Sequence, residues 1–245
     1  NMAKERLDKL LASQGMGSRK EVAHLIRTGQ VIVDGNLEKH PESKWDPETA
    51  SIVINGRSLL FQRFCYLMMN KPKGVISASN DPRCRTVIDL VPEKWRRKGL
   101  FPAGRLDKDT EGLLIITNDG DFAHRMLSPK KHVFKLYEAE VSGKIGEDQI
   151  QKFQEGIILE DGTKCLPAQL QVVRCDETST VHVWICEGKF HQIKRMFLAV
   201  NSEVLRLKRL QIGQLALDQA LEPGICREIS EKERKLVFLQ AFSTK

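Results

Sequence analysis

The chain changes its hydrophobic period soon after it begins. Leu7, Leu10 and Leu11 share one face at helical spacing, and Gly15 is placed to end that helix. Ser18 with Glu21 three residues on is a capping-box pattern; Val22, Leu25 and Ile26 follow as an apolar stripe, and Gly29 stops it. The period then drops to two. Val31–Val33 runs into Asp34-Gly35, and 51–54 runs into Asn55-Gly56, both hairpin-type turns. Two short helices and a small ribbon predict a minimal N-terminal domain over 2–60. The following stretch RSLLFQR, 57–63, is too short and apolar for a flexible linker, so a second domain over 64–245 should follow closely.

Beyond Phe64 the pattern is mostly that of strands. FCYLMMN, LLIIT, VFKLYEAEV, STVHVWI and EVLRLKRLQI are apolar or alternating, while helices are predicted at 121–127, 147–155, 190–200 and 230–242. Strands that follow one another through short turns favour a mixed or antiparallel sheet over a doubly wound one, so the fold class is α+β.

Charge sharpens this picture. The 245 residues carry a net +7, with 41% hydrophobic content sufficient for a packed core. The excess is local: 64–135 is net +6 and 187–209 net +4, whereas 136–186 holds four basic against nine acidic groups. One basic face opposite an acidic one suits a polyanionic partner. In the N-terminal part the positive charge lies on the helices, through Arg6, Lys9, Arg19, Lys20 and Arg27. Six cysteines form no C-x-x-C pair and no metal-ligand spacing with histidine, and no glycine-rich phosphate loop is present, so no metal or cofactor is expected. No apolar run approaches the roughly 20 residues of a membrane span, and no signal-peptide core is visible, which predicts a cytoplasmic protein.

Three segments carry candidate chemistry. In AGRLDKDTEGLLIITNDG, 103–120, the acids Asp107, Asp109 and Glu111 stand at every second position between Gly104 and Gly112. Alternation puts Arg105 and Asp107 on one face with Leu106 anchoring the other, and the turn sits at the end of a strongly apolar strand, where sites form on rigid elements. In EGKFHQIKRMFLAV, Ile193, Met196, Phe197 and Val200 form the buried stripe, leaving His191, Lys194 and Arg195 off it. His191 has no second catalytic partner in that segment and reads as a capping or packing residue, whereas Lys194 or Arg195 could pair with a carboxylate and hold it ionised. In KLY, Lys135 and Tyr137 share a strand face; Tyr137 could stack on a base or lie in the core.

Two resemblances rest on these segments. RLDKLLASQGMGSRKEVAHLIRTGQVIVDG resembles the alpha-L RNA-binding domain over roughly residues 4–52. YLMMNKPKGVIS, GRLDKDTEGLLIITNDG, FKLYEAEV and EGKFHQIKRMF, in that order, resemble the signature segments of the RsuA-type pseudouridine synthase family. The resemblance implies a mixed, mainly antiparallel sheet with a central cleft, and isomerisation of a uridine in ribosomal RNA. It places the catalytic aspartate on Asp107, the tyrosine on Tyr137 and the basic partner of the aspartate on Lys194. RNA contacts are then expected at Arg105, Lys135, His191 and Arg195, and at Arg19 and Lys20 in the N-terminal domain. Asp109 and Glu111 become structural or solvated turn residues. The partner would be ribosomal RNA or a ribosome-assembly intermediate, met by a monomer. The short stretch after Phe242, with no basic tail, points to the small-subunit type. The competing readings are a large-subunit enzyme, a non-catalytic RNA-binding or assembly factor, and a base-removing hydrolase. A pure binder has no need of Arg105, Asp107, Tyr137 and Lys194 together, and a hydrolase generally wants a second carboxylate to direct water.

Overall fold

A computed structural model describes residues 4–96 and 99–240. The start of the expected N-terminal domain and Phe242, the expected end of the last helix, lie outside the described residues. The chain divides into two compact units, Asn1–Cys65 with Pro92–Leu100, and Tyr66–Val91 with Phe101–Lys245. Pro92–Leu100 thus groups with the N-terminal unit although it is flanked in sequence by the second; Gly15 lies against the carbonyls of Lys94 and Arg96.

In the first unit, β1 (Glu5–Arg6) leads into α1 (Leu7–Ser13), and α2 (Arg19–Arg27) follows. The capping box forms as its residues predict: Ser18 Oγ accepts from Glu21 N, and Glu21 accepts from Ser18 N. Then come β2 (Val31–Val33), β3 (Asn36–Leu37), β4 (Lys44–Trp45), β5 (Ile52–Ile54) and β6 (Arg57–Leu59). The sheet runs β3-β2-β5-β6, and β1 pairs with β4. Asp34-Gly35 and Asn55-Gly56 all take positive φ, the left-handed geometry of a two-residue hairpin turn. The predicted stripes of α1 and α2 meet Val31, Val33, Ile52 and Ile54 in one core.

Asp8 is buried in this unit and holds two guanidinium groups, Arg6 Nη2 at 2.9 Å and Arg19 Nη2 at 2.8 Å. Chiefly through the Arg6 hydrogen bond, its carboxyl falls from the ordinary 3.8 to about 2. Its folded pKa is depressed, so its contribution is present above the unfolded value and is lost as pH falls through about 4 to about 2. Asp8→Asn should therefore lower stability by about 2 kcal/mol at neutral pH and erase that part of the acid dependence. Urea denaturation at pH 7 and pH 3 measures both; equal loss at the two pH values would refute the assignment.

The second unit contains β7 (Tyr66–Lys71), β8 (Phe101–Ala103), β9 (Glu111–Thr117), α3 (Gly120–Leu127), β10 (Lys135–Ser142), α4 (Glu147–Glu155), β11 (Gln169–Arg174), β12 (Thr178–Ile185), α5 (Gln192–Leu198), β13 (Val204–Ile212), β14 (Leu215–Ala216), β15 (Cys226–Glu228) and α6 (Glu231–Leu236). The sheet order is β11-β12-β10-β13-β9-β7-β15, with β8 beside β9 and β14 beside β13. Every strand pair is antiparallel except β13 with β9, which run parallel through Lys208↔Glu111 and Arg209↔Gly112. This short parallel seam joins two antiparallel halves. One edge of β9 is covered by β7; on the other, β13 reaches only Glu111 and Gly112, and β8 takes over from Ile115 to Thr117. The unbroken apolar run of LLIIT is matched by burial on both faces of β9.

Several elements differ from expectation for physical reasons. β11 was not foreseen because it is an edge strand whose one buried position, Leu170, leaves little pattern to read. α5 starts at Gln192 rather than Phe190, because His191 takes the left-handed conformation at φ 47°. α6 stops at Leu236, whose carbonyl accepts from Gln214 N at 2.9 Å and, in a tighter turn, from Leu239 N at 3.2 Å. Among the described residues no helix is long and apolar enough to cross a membrane.

Candidate active site

The turn from Gly104 to Gly112 lies at the seam, and two side chains outside it determine its shape. Lys71, wholly buried at the end of β7, donates from Nζ to the carbonyls of Thr110 (2.8 Å), Asp107 (2.9 Å), Pro72 (3.1 Å) and Lys108 (3.3 Å). Burial pushes its ammonium down to about 8, while the carboxylates of Asp109, Asp107 and Glu111 pull the other way, so it stays protonated at neutral pH. Ser77 Oγ donates to Leu106 O at 2.7 Å and accepts from Leu106 N at 3.1 Å, clamping the residue before Asp107 by both backbone groups. Leu106 is buried and Arg105 exposed, as alternation predicts. Gly112 has φ +104°, and a Cβ there would overlap the carbonyl oxygen of Arg209, so the seam closes only on glycine.

The three acids have three environments. Asp107 Oδ2 lies 3.3 Å from Lys194 Nζ, and its Oδ1 lies 3.6 Å from His191 Nε2. Asp109, although 70% exposed, binds the same Lys194 at 2.6 Å, and this hydrogen bond holds its carboxyl below the usual range. Glu111 is not a turn residue but the first of β9. Burial pushes its carboxyl up, but Arg206 (3.0 Å) and Lys73 (3.8 Å) more than offset that and leave it below the ordinary value. Of the two alternatives for these acids, structural or solvated, ion pairing favours the first: Lys194 reaches Asp109 from α5, and Arg206 reaches Glu111 from β13. Lys194 is shared. Burial works against its charge, yet Asp109 and Asp107 outweigh burial and raise it above the ordinary lysine value.

Asp107, Arg105, Tyr137, His191 and Lys194 line one open cleft with about 460 Å³ of empty space. Thr110 lines it too, and its buried Oγ1 has no hydrogen-bond partner. Tyr137 is buried at 8% exposure, and its hydroxyl accepts from Arg209 Nη1 at 3.3 Å. Arg209 also donates to Leu113 O (2.8 Å) and Gly104 O (2.6 Å), filling the gap where β13 leaves β9. An arginine donates only, so the Tyr137 proton must be directed away from it.

Lys71, Ser77 and Arg209 were missed from sequence. Lys71 read as a turn residue and Arg209 as one cation of a basic strand; the available signal was that Arg209 shares the face of Leu207, an inward position.

The 187–192 loop that delivers His191 and Lys194 is knotted from inside. Buried Glu187 accepts from Leu166 N and Gln192 Nε2, each at 2.7 Å, and pairs with the Lys189 ammonium. Lys189 N donates to Gln192 Oε1 at 2.9 Å.

The expected RNA contacts divide. Arg105 is exposed at the cleft, and Lys20 is exposed on α2. His191 sits at the N-terminus of α5 without a side-chain capping bond, stacks on Phe190 and faces Asp107. Lys135 is corrected: it is buried and donates to Val133 O at 3.2 Å, and burial, with Arg209 nearby, lowers its ammonium to about 8. Arg195 is corrected as well, since its guanidinium is taken by Glu160 (2.7 Å) and Asp161 (2.6 Å). Arg19 is engaged by Asp8.

The sequence pattern of the family described as RNA pseudouridylate synthase matches residues 65–199, and that of the S4 domain matches 5–49. YtzG of Bacillus subtilis (strain 168), described as an uncharacterized RNA pseudouridine synthase, is 48% identical, covering 95% of this chain and 98% of that one. Ribosomal small subunit pseudouridine synthase A of Vibrio cholerae is 40% identical over 93% of this chain and 97% of its own. Ribosomal large subunit pseudouridine synthase B of Bacillus subtilis is 37% identical over 94% of each. A crystal structure of a pseudouridylate synthase superposes with a TM-score of 0.66 at 32% identity, covering 95% of this chain and 99% of that one. With an S4 domain in front and an aspartate–lysine–tyrosine cleft at the seam of a two-part sheet, the chain belongs to the RNA pseudouridylate synthase family.

Proposed function

We propose that this protein isomerises a uridine of small-subunit ribosomal RNA to pseudouridine, with Asp107, Tyr137 and Lys194 carrying the reaction. The C1′–N1 bond breaks, the uracil turns within the site, C1′ joins C5, the C5 proton leaves and N1 gains one. No water and no redox change enter the net reaction. The observation that carries the reading is the convergence of a carboxylate, a paired ammonium and a tyrosine in one cleft, with the neighbouring acids Asp109 and Glu111 bound to cations. One ionised carboxylate suits this chemistry, since it can attack covalently or stabilise positive charge at the sugar. Lys194 balances that charge, and Tyr137 supports the ring, with its hydroxyl oriented by Arg209. Arg105, exposed beside Asp107, would contact the RNA backbone or fill the space left by the extruded uridine.

The small-subunit assignment draws on the relatives that carry that name; the large-subunit relative keeps the alternative in view. The proposed setting is the cytoplasm, with the protein acting as a monomer on ribosomal RNA or an assembly intermediate, held also by its S4 domain. Incubating the enzyme with small- and large-subunit transcripts carrying 5-tritiated uridine tests the reading. Tritium release with a single mapped pseudouridine in the small-subunit RNA is expected; release only from the large-subunit RNA, or free uracil, would overturn it. Lys194→Met should lower kcat by about 10²–10³-fold with KM nearly unchanged, as for loss of an electrostatic partner in a closed site. A rise in KM alone would make Lys194 a phosphate contact instead.

A further inference from the structure

Phe190 is a large apolar ring left 75% exposed beside the cleft. One of its faces stacks on His191, at 3.8 Å between centroids and 17° between planes. His191 in turn has Nε2 3.6 Å from Asp107 Oδ1. The exposed ring therefore stands one ring layer out from a side chain that touches the proposed catalytic carboxylate.

This placement is held from several sides. The turn is tied by Lys189 N to Gln192 Oε1 at 2.9 Å and by Gln192 N to Lys189 O at 3.2 Å, above the buried Glu187. Arg195 Nη1 donates to the Phe190 carbonyl at 3.4 Å, and His191 sits in the left-handed conformation that turns the two rings into register. An aromatic pair fixed by its own backbone loses little freedom when something stacks on it.

We infer that Phe190, backed by His191, is a stacking platform for an unpaired nucleobase of the substrate RNA next to the target uridine. The inference rests on the proposed RNA substrate and adds a subsite to it. Extruding a uridine for reaction at Asp107 unstacks its neighbours, and one neighbour regains a π-face on the outer side of Phe190. Arg105, exposed at the same cleft, suits a phosphate flanking that base. Because every base has a π-face, the platform adds affinity without selecting a base. Stacking of this kind corresponds to roughly 5- to 100-fold in binding.

Phe190→Ala and Phe190→Trp, run beside wild type on the small-subunit transcript, test it, with RNA retention on filters measured separately from tritium release. Phe190→Ala should weaken retention and raise KM by that 5- to 100-fold, with kcat within about twofold of wild type. Phe190→Trp should keep wild-type KM, and its emission, beyond that of Trp45, Trp95 and Trp184, should be quenched on adding RNA. Equal retention by wild type and Phe190→Ala overturns the platform and leaves the ring to a protein contact or to none. So does a loss confined to kcat, which would mark loop distortion. A wild type that retains RNA but releases no tritium fails the functional reading alone.

Discussion

Asp107→Asn is expected to lower pseudouridine formation by at least roughly 10⁴-fold, the scale on which removal of a nucleophile is felt, while RNA retention stays near wild type. The substitution keeps the shape of the side chain and removes its charge, so the cleft and the surrounding cations remain. Nothing in the cleft can replace it. Asp109 is 70% exposed and engaged with Lys194, and Glu111 is bound by Arg206 at 3.0 Å. Asp109→Asn should be far milder, within about tenfold, because Lys194 keeps Asp107 as its partner. Single-turnover tritium release measures both variants; near wild-type turnover by Asp107→Asn, or a greater loss from Asp109→Asn, would reassign the catalytic acid.

Lys71→Met should produce the largest combined loss of order and activity. It removes the ammonium that donates to four carbonyls around the catalytic turn. Asp107 O and Lys108 O keep the Thr110 and Gly74 amides as donors, so Pro72 O and Thr110 O are the acceptors left unpaired; at roughly 1–3 kcal/mol each, the loss is about 3 kcal/mol. The Asp107 backbone is among the groups released, so kcat should fall by about 10²-fold or more even where the protein remains folded, as expected when a reacting group is misplaced by an ångström. Urea denaturation together with single-turnover rates checks this. An intact midpoint with unchanged turnover would show that Ser77, which holds Leu106 by both backbone groups, suffices by itself.

The site is assembled by cations as much as by acids. Lys71 shapes the turn, Arg209 bridges the gap beside β9 and orients Tyr137, and Lys194 meets the carboxylate. Lys71 and Arg209 donate to backbone carbonyls rather than to carboxylates, which leaves the negative charge of the cleft to Asp107.

Local physics determined a good part of this in advance. The Ser18 capping box, the Asp34-Gly35 and Asn55-Gly56 turns and the LLIIT run act over a few residues, so their outcome was legible without knowing what they pack against. Alternation around Leu106 was enough to put Arg105 and Asp107 on the open side. The pairing of Lys194 with Asp107 was expected only through the family resemblance; that Lys194 also holds Asp109, 85 residues away, and that Arg206 meets Glu111, 95 away, was not legible. The seam of β9 and β13 brings Arg206 to Glu111, and α5 brings Lys194 to Asp109. The same long-range packing buried Lys135 and Arg209, which as strand residues in a basic segment look no different from surface cations. Side-chain type and period are properties of a short stretch of chain. Which charge meets which, and which charge is taken out of water, depends on strands far apart in sequence, and that the tertiary structure alone decided.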